Sequence, residues 1–330
     1  MLARTLAFSL ILGAATSTAL ANPNCDQAQH PTRSVQACSH LIKQNPRHGH
    51  AYNSRANAYL ALGDVDRAIE DYAKQIEINP RHAYAYNGRG NAFRAKGLQG
   101  HAIEDYSRQI AINPRHPYAH SGRGDAHLDI GEFDRAIADY GRQIEINPRH
   151  AYAYNGRGNA HLAKGEFDRA IDDYSKQIAV DPRHSHAYGG RGDAYRAISQ
   201  LDRAIEDYSK QIAINPRHPY AYGGRGEAYE QAGQLDRAIQ DYDRQIEINP
   251  RHPYALLGRA RANLTMGNAD RALGDADALL AQRPDDPQVL QTRAQILQAL
   301  GRYDEGIADL ERALSKGLDR QQREVSPRFN

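Results

Sequence analysis

Tryptophan is absent from the 330-residue chain, and cysteine and methionine occur twice each. With only these two cysteines and no CxxC pair, the case for zinc or thiol redox chemistry is weak. Phenylalanine is scarce at five, whereas tyrosine reaches 20. Aromatic packing therefore falls to a ring that also carries a hydroxyl. An excess of either charge is missing too: 42 Lys and Arg face 40 Asp and Glu, a formal net of +2. Net charge thus gives no support to a nucleic-acid or anionic-membrane partner. Apart from the N-terminal leader, no stretch is apolar enough to cross a bilayer. No Ser-His-Asp, Cys-His or paired-carboxylate constellation stands out, so a non-enzymatic chain without cofactor or metal is expected.

The leader reads MLARTLAFSLILGAATSTALANPNC. One arginine, Arg4, precedes an apolar run from Leu6 to Ala15, and Ala19-Leu20-Ala21 forms an A-x-A cleavage pattern. These features predict a secretory signal peptide over 1–21 and a periplasmic or secreted product without membrane insertion after cleavage. In an oxidising compartment the close pair Cys25 and Cys38 suggests a disulfide. Closing a loop of about 14 residues is worth roughly 3 kcal/mol in the chain-entropy model.

What the chain has in quantity is repetition. Prolines stand at Pro46, Pro80, Pro114, Pro148, Pro182, Pro216, Pro250 and Pro284, always 34 residues apart, and all but the last precede Arg-His. A fixed period of this size signals stacked units that bury their faces against one another. In 219–252, Pro219 suits a helix start, and Tyr222, Gly226 and Tyr229 share one helical face. Gly233 breaks the segment. Asp236 is a candidate N-cap for a second helix that carries Ala238, Tyr242, Gln245 and Ile246, and Pro250 stops it. Each unit reads as helix, turn, helix, link.

The slots Tyr52, Ala56, Tyr59, Gly63, Ala68, Tyr72 and Pro80, and then Tyr86, Gly90, Phe93, Gly97, Ala102, Tyr106 and Pro114, resemble the tetratricopeptide repeat. The resemblance implies an all-α fold, a right-handed superhelical solenoid of 34-residue helix-turn-helix repeats. It divides the chain into a signal peptide (1–21), an N-terminal cap and half repeat (22–48), eight repeats (49–320) and a tail (321–330). Val35, Cys38, Leu41 and Ile42 give the cap its apolar stripe, with Cys38 facing inward. The divergent eighth unit is expected to cap the array with a polar outer face.

Two slots depart from the family pattern in all eight units. Arginine stands where an apolar residue is usual (Arg55, Arg89, Arg123, Arg157, Arg191, Arg225, Arg259 and Arg293). Aspartate precedes the aromatic of the second helix (Asp71, Asp105, Asp139, Asp173, Asp207, Asp241, Asp275 and Asp309). A packed arginine needs a partner, so an Arg–Asp pair inside each hairpin is expected, against the alternative of eight exposed and unrelated charges. Glutamine fills an alanine slot at Gln75, Gln109, Gln143, Gln177, Gln211 and Gln245, and once buried it too needs partners.

Other motifs have plainer readings. The Arg-His links supply one histidine per unit, whereas metal sites need three or four converging ligands. His120, His127 and His161 replace family aromatics in the core or at its rim. Gly224-Arg225-Gly226 lacks the strand context of a dinucleotide loop. Arg-Gly-Asp at 123–125 and 191–193 lies inside helices. Gly90, Gly124, Gly158, Gly192 and Gly226 occupy the small slot where helices approach. Gly88, Gly122, Gly156, Gly190 and Gly224 either admit a ligand backbone or record duplication.

The resemblance places a ligand groove along the first helices, at slots two, five, nine and twelve of each unit. Slot two holds Tyr84, Tyr118, Tyr152, Tyr220 and Tyr254, with His50 and His186. Slot five holds Asn53, Asn87 and Asn155, then Gly189 and Gly223. Slot nine holds Asn57, Asn91, Asp125, Asn159, Asp193 and Glu227. Slots five and nine share a face, and asparagine pairs there can hydrogen-bond an extended peptide backbone. The expected function is a protein-interaction scaffold of the cell envelope with a protein or peptide partner. A glycan-binding or polysaccharide-assembly module is the alternative. The lysines of the family's clamp for chaperone C-termini are absent.

Overall fold

The computed structural model describes Cys25 and residues 30–116, 118–250 and 252–325, with side chains through 316. The expected signal peptide lies outside these residues. The described residues form helices and their links: α1 (Pro31–Gln44), α2 (Gly49–Ala61), α3 (Val65–Ile78), α4 (Ala83–Ala95), α5 (Gln99–Ile112), α6 (Ala119–Asp129), α7 (Phe133–Ile146), α8 (Ala151–Ala163) and α9 (Phe167–Val180). The series continues with α10 (Ser185–Ala197), α11 (Leu201–Ile214), α12 (Pro219–Gln231), α13 (Leu235–Ile248), α14 (Pro253–Thr265), α15 (Ala269–Gln282), α16 (Pro287–Ala299) and α17 (Tyr303–Val325). The chain divides into two compact units, residues 1–122 and 123–330, with the boundary inside α6. In the first, α1 packs on α2, and α2/α3 and α4/α5 form hairpins. In the second, hairpins from α8/α9 to α16/α17 stack in chain order. No helix among the described residues is long and apolar enough to cross a membrane.

Turn chemistry repeats with the period. All hairpins but one close on a glycine with positive φ, such as Gly63 at 79° and Gly165 at 75°. The amide of Asp64 then reaches back to the Tyr59 carbonyl at 2.8 Å, which satisfies a helix C-terminus in the Schellman manner. Ser199 occupies this slot in one hairpin with φ 60°. Between hairpins the link Asn-Pro-Arg-His has two built-in bonds. The Asn45 side chain accepts from the Arg47 amide at 3.0 Å, and the His48 ring accepts from the Ala51 amide at 3.2 Å as an N-cap. The expected cap Asp236 instead sits inside the first turn of α13, behind Gln234 at the N-cap. Its charge there still complements the helix dipole.

From α2/α3 to α12/α13 the core is built around one tyrosine of each second helix. Tyr72, Tyr106, Tyr140, Tyr174, Tyr208 and Tyr242 are buried. A Cβ on Gly158 would lie 3.0 Å from the Tyr174 ring, and one on Gly190, in the next hairpin, would lie 2.5 Å from it. Gly192 and Gly224 bracket Tyr208 likewise, at 3.0 and 2.6 Å. The second glycine series (Gly88, Gly122, Gly156, Gly190 and Gly224) therefore seats the tyrosine of the preceding hairpin. It does not open the backbone to a ligand.

The Arg–Asp pairs form in every hairpin. Arg157 donates Nε to Asp173 at 2.8 Å and Nη2 at 2.7 Å, and Arg225 meets Asp241 through the same fork at 2.7 Å each. Equivalent bonds join Arg55–Asp71, Arg89–Asp105, Arg123–Asp139, Arg191–Asp207 and Arg259–Asp275, and Arg293 meets Asp309 through Nη1 at 2.7 Å while its Nε goes to Asp277. The remaining nitrogen of Arg191 and Arg225 reaches back to Ser175 and Ser209 of the preceding hairpin, at 2.9 and 3.0 Å. The ring faces of Tyr222 and Tyr229 flank Arg225, each 5.9 Å away. One guanidinium thus ties three helices. The Arg-Gly-Asp triplets are not displayed, because Arg123 and Arg191 are committed to these pairs.

The N-terminal end is as expected, and the C-terminal end differs in detail. Cys38 is fully buried and forms a disulfide with Cys25. At the other end, α17 runs to Val325, so residues 321–325 are helical and not a separate tail. Its outer face is not polar: Tyr303, Ile307, Leu310 and Leu314 are exposed.

Candidate functional site

The slot-two tyrosines of the first helices stand clear of the core. Tyr220 and Tyr254 are about two-thirds exposed, at 66% and 64%, and Tyr152 is half exposed. The link histidines intercalate between them. In the second unit a run of rings passes from His184 to His186, His218, Tyr220, His252 and Tyr254, with centroids 5.2–6.0 Å apart. In the first unit His82, Tyr84, His116 and Tyr118 make the same ladder. Burial pushes the pKa of His116, His218 and His252 down, with His186 adding to the effect at His218. These rings are therefore neutral at pH 7.

Beneath the ladder the amide side chains are joined into directional chains. The Tyr174 hydroxyl donates to Asn159 at 2.7 Å, and Asn159 donates to Asn155 at 3.4 Å. Asn155 donates to Gln177 at 3.1 Å, and Gln177 donates to Nδ1 of His184 at 2.9 Å. The first unit repeats this sequence through Tyr106, Asn91, Asn87, Gln109 and His116. These bonds give Gln109 and Gln177 their partners, with the imidazole Nδ1 accepting, whereas Oε1 of Gln75 and both polar side-chain atoms of Gln143 lack one. Slot nine is engaged in the same way elsewhere. Tyr72 donates to Asn57 at 2.5 Å, Tyr140 to Asp125 at 2.6 Å and Tyr208 to Asp193 at 2.6 Å. Asp125 also accepts from the Tyr152 hydroxyl. Asn53 is only partly buried, yet its Oδ1 is enclosed and lacks a partner.

In the second unit these elements surround a cavity of about 700 Å³. Of the groove residues expected from sequence, Tyr152, Asn155, Asn159, Gly189, Asp193, Tyr220, Gly223 and Glu227 line it. In the first unit Asn53, Asn57, Tyr84, Asn87, Asn91 and Tyr118 occupy the equivalent helix positions. Glycine at slot five changes the floor. The amide of Gln245 fills the space that a Cβ on Gly223 would take, 2.6 Å away, and Gln211 does so at Gly189.

Models of the tetratricopeptide repeat match residues 100–151, 121–179, 231–296 and 287–315, and a TPR repeat model matches 56–97 and 192–233. The chain belongs to the tetratricopeptide repeat family. No match was found among curated proteins. Among solved structures, a tetratricopeptide repeat protein from Parabacteroides merdae is similar at TM-score 0.59 and 18% identity, over 79% of this chain and 99% of that one. The APC/C hetero-tetramer Cut9-Hcn1 is similar at TM-score 0.60 and 16% identity, over 72% of this chain. The match spans 47% of that structure's chain. YrrB, a TPR protein with an unusual peptide-binding site, aligns at TM-score 0.48 and 23% identity over 57% of this chain and 96% of that one. At these identities the likenesses bear on nothing beyond the fold.

Seen as a tetratricopeptide groove, the site contains residues that sequence reading passed over. Arg196 holds slot twelve and meets Glu227 at 2.7 Å and Asp193 at 3.8 Å. Glu230, at slot twelve of the next repeat, accepts from Tyr242 at 2.7 Å and pairs with Arg261. The link histidines His184, His218 and His252 also line the cavity. The slot spacing alone pointed to Arg196 and Glu230. The histidines carried no signal beyond their regularity. His127 and His161 are buried, each against a turn glutamate at 2.7 Å. Among the described residues no group of three or more His, Cys, Asp or Glu is placed to hold a metal ion.

Proposed function

We propose that this tetratricopeptide repeat chain is a non-catalytic interaction scaffold of the cell envelope, exported by residues 1–21, that seats an extended peptide or protein segment along its first helices. In this reading 22–48 caps eight repeats spanning 49–320. Tetratricopeptide repeats supply protein–protein interaction scaffolds. The observation that carries the finer reading is the ladder of exposed tyrosines and link histidines above a floor whose amides bond one another. The tyrosine rings are stiff and amphipathic, so they lose little entropy on contact and accept both apolar and hydrogen-bonding neighbours. The asparagines named from sequence serve this surface by holding it in place, with part of their donor capacity left for a ligand backbone.

Ring faces exposed in a row also suit sugars, which makes polysaccharide the second reading. A photo-crosslinking residue at position 220 or 254, used in envelope extract, tests the choice. A peptide crosslinked at those positions and lost in Tyr220→Ala plus Tyr254→Ala supports the scaffold. Retention on polysaccharide resin, lost in the same variant, with no peptide crosslink, replaces it with the glycan module.

A further inference from the structure

We infer that the groove segment from Asp193 to Tyr254 selects a basic peptide, one that presents a lysine or arginine side chain to the Asp193–Arg196–Glu227 cluster. The inference rests on the peptide reading above and adds the chemistry of the ligand. Three independent features of the cavity agree on a cation.

The first is the balance and exposure of charge. Apart from histidines and tyrosines, the ionisable groups lining the cavity are Asp193, Glu227 and Arg196, a net charge of −1. The arginine is the most enclosed of the three. Its side chain is 27% exposed, against 36% for Glu227 and 47% for Asp193. Arg196 is already held by Glu227 at 2.7 Å and by the Tyr208 hydroxyl at 3.4 Å. The open side of the cluster therefore shows carboxylate oxygens. Burial holds His218 and His252, which also line the cavity, toward the neutral form.

The second is the rings. Tyr220 and Tyr254 are 66% and 64% exposed beside this cluster. An aromatic face attracts a cation through its quadrupole, with guanidinium the commoner partner. The chain itself uses that contact at Arg225, between Tyr222 and Tyr229.

The third is an acceptor without a donor. Gln245 is 2% exposed, lines the cavity beside Gly223, and its Oε1 has no hydrogen-bond partner. A buried orphan acceptor costs on the order of 1–3 kcal/mol. Asn155 and Asn87 donate to Gln177 and Gln109 from slot five, whereas Gly223 has no side chain to do so for Gln245. Lysine and arginine heads carry only donors. An acidic ligand would meet carboxylates and ring faces, both repulsive to an anion.

The test uses the full mature chain and three fluorescein-labelled peptides of equal length in a Gly-Ser frame, carrying lysine and arginine, glutamate and aspartate, or no charge, with a labelled neutral oligosaccharide alongside. The expected result is that the basic peptide binds at least tenfold tighter than the uncharged one and the acidic peptide does not bind. Affinity should fall with added salt, and at least tenfold in Asp193→Asn plus Glu227→Gln. Asp193→Asn keeps an oxygen for the Tyr208 hydroxyl, so an unchanged thermal melt shows that the fold is intact. Asp202→Asn plus Asp236→Asn, on the second helices, leaves binding unchanged if the effect is local. Equal binding of basic and uncharged peptides overturns the selectivity while leaving the groove a peptide seat. So does basic binding that survives Asp193→Asn plus Glu227→Gln. Binding of the oligosaccharide with none of the peptides overturns both readings.

Discussion

Gly190→Ala and Gly274→Ala are the same chemical change in two helix interiors, and the structure assigns them opposite signs. Alanine is favoured over glycine inside a helix by about 1 kcal/mol. At Gly274 nothing lies within 4 Å of the added carbon, so that gain is realised and the variant should be stabilised by about 0.5–1 kcal/mol. At Gly190 the added carbon would sit 2.5 Å from Cζ of Tyr174 and 2.8 Å from its hydroxyl oxygen. The ring must retreat by about 1 Å to reach ordinary contact. It cannot do so freely, because on its other side a Cβ at Gly158 would already be only 3.0 Å away, and Tyr174 is fully buried. Overpacking of this kind costs typically 1–3 kcal/mol. Set against the helix gain, the net for Gly190→Ala is a destabilisation of about 1–2 kcal/mol at the upper part of that range. Urea denaturation followed by circular dichroism gives the sign, and hydrogen exchange locates the loss in α9 and α10. Adding Tyr174→Leu should remove the penalty, giving a coupling opposite in sign to the two single costs. If Gly190→Ala stabilises as much as Gly274→Ala, the tyrosine does not fill that joint and the glycine series needs another reason.

Asp173→Asn leaves Arg157 forked onto a neutral partner. Breaking a buried pair costs about 3–5 kcal/mol, and the partial exposure of Arg157, 22% against 4% for Asp173, places the expected loss near 2 kcal/mol. A midpoint equal to that of the exposed control Lys176→Gln would refute the pairing. Ser199→Gly should stabilise by about 1 kcal/mol, because φ of 60° strains a residue with a Cβ; no gain in the urea midpoint counts against that strain. His116, His218 and His252 have folded-state pKa values lowered by burial. Their contribution is complete above the unfolded value of about 6.5 and is lost as pH falls below it. The urea midpoint should therefore drop between pH 7.5 and 5.5, and less so when these histidines are replaced by asparagine. Reduction of Cys25–Cys38, which closes a sequence separation of 13, should cost about 3 kcal/mol. It should speed hydrogen exchange in α1 while leaving α8 and α9 unchanged.

Periodicity made the fold and the ion-pair ladder legible. The proline spacing placed the hairpins, and an arginine in a packed slot demanded the aspartate that the structure supplies. The limits appear where a side chain reaches outside its own hairpin. Gln177 is satisfied by Asn155, which lies 22 residues earlier, and by His184, seven residues later. Neither partner shares its helix, so no helical spacing could assign them. Gly190 looked free for a ligand because its neighbour in space, Tyr174, belongs to the previous hairpin. Arg196 stood at a groove slot, but its place between Glu227 and Asp193 depends on two successive first helices lying side by side. Asp236 shows a milder limit: two residues separate a good capping type from the actual cap, Gln234.

A tyrosine bracketed by glycines from two consecutive hairpins has a consequence for how such a chain changes over time. The joint between hairpins is nearly the same object wherever it occurs: the Tyr174 joint, with Gly158 and Gly190, matches the Tyr208 joint, with Gly192 and Gly224. Excising or duplicating 34 residues restores an equivalent joint at the scar. Joints are thus interchangeable couplings, and the row of rings lengthens or shortens in whole steps without a redesigned core. Features confined to one place, such as Gly223 over Gln245 and the Arg196–Glu227 pair, lie off the coupling. Reach and selectivity can therefore drift separately, the first by counting repeats and the second by single substitutions.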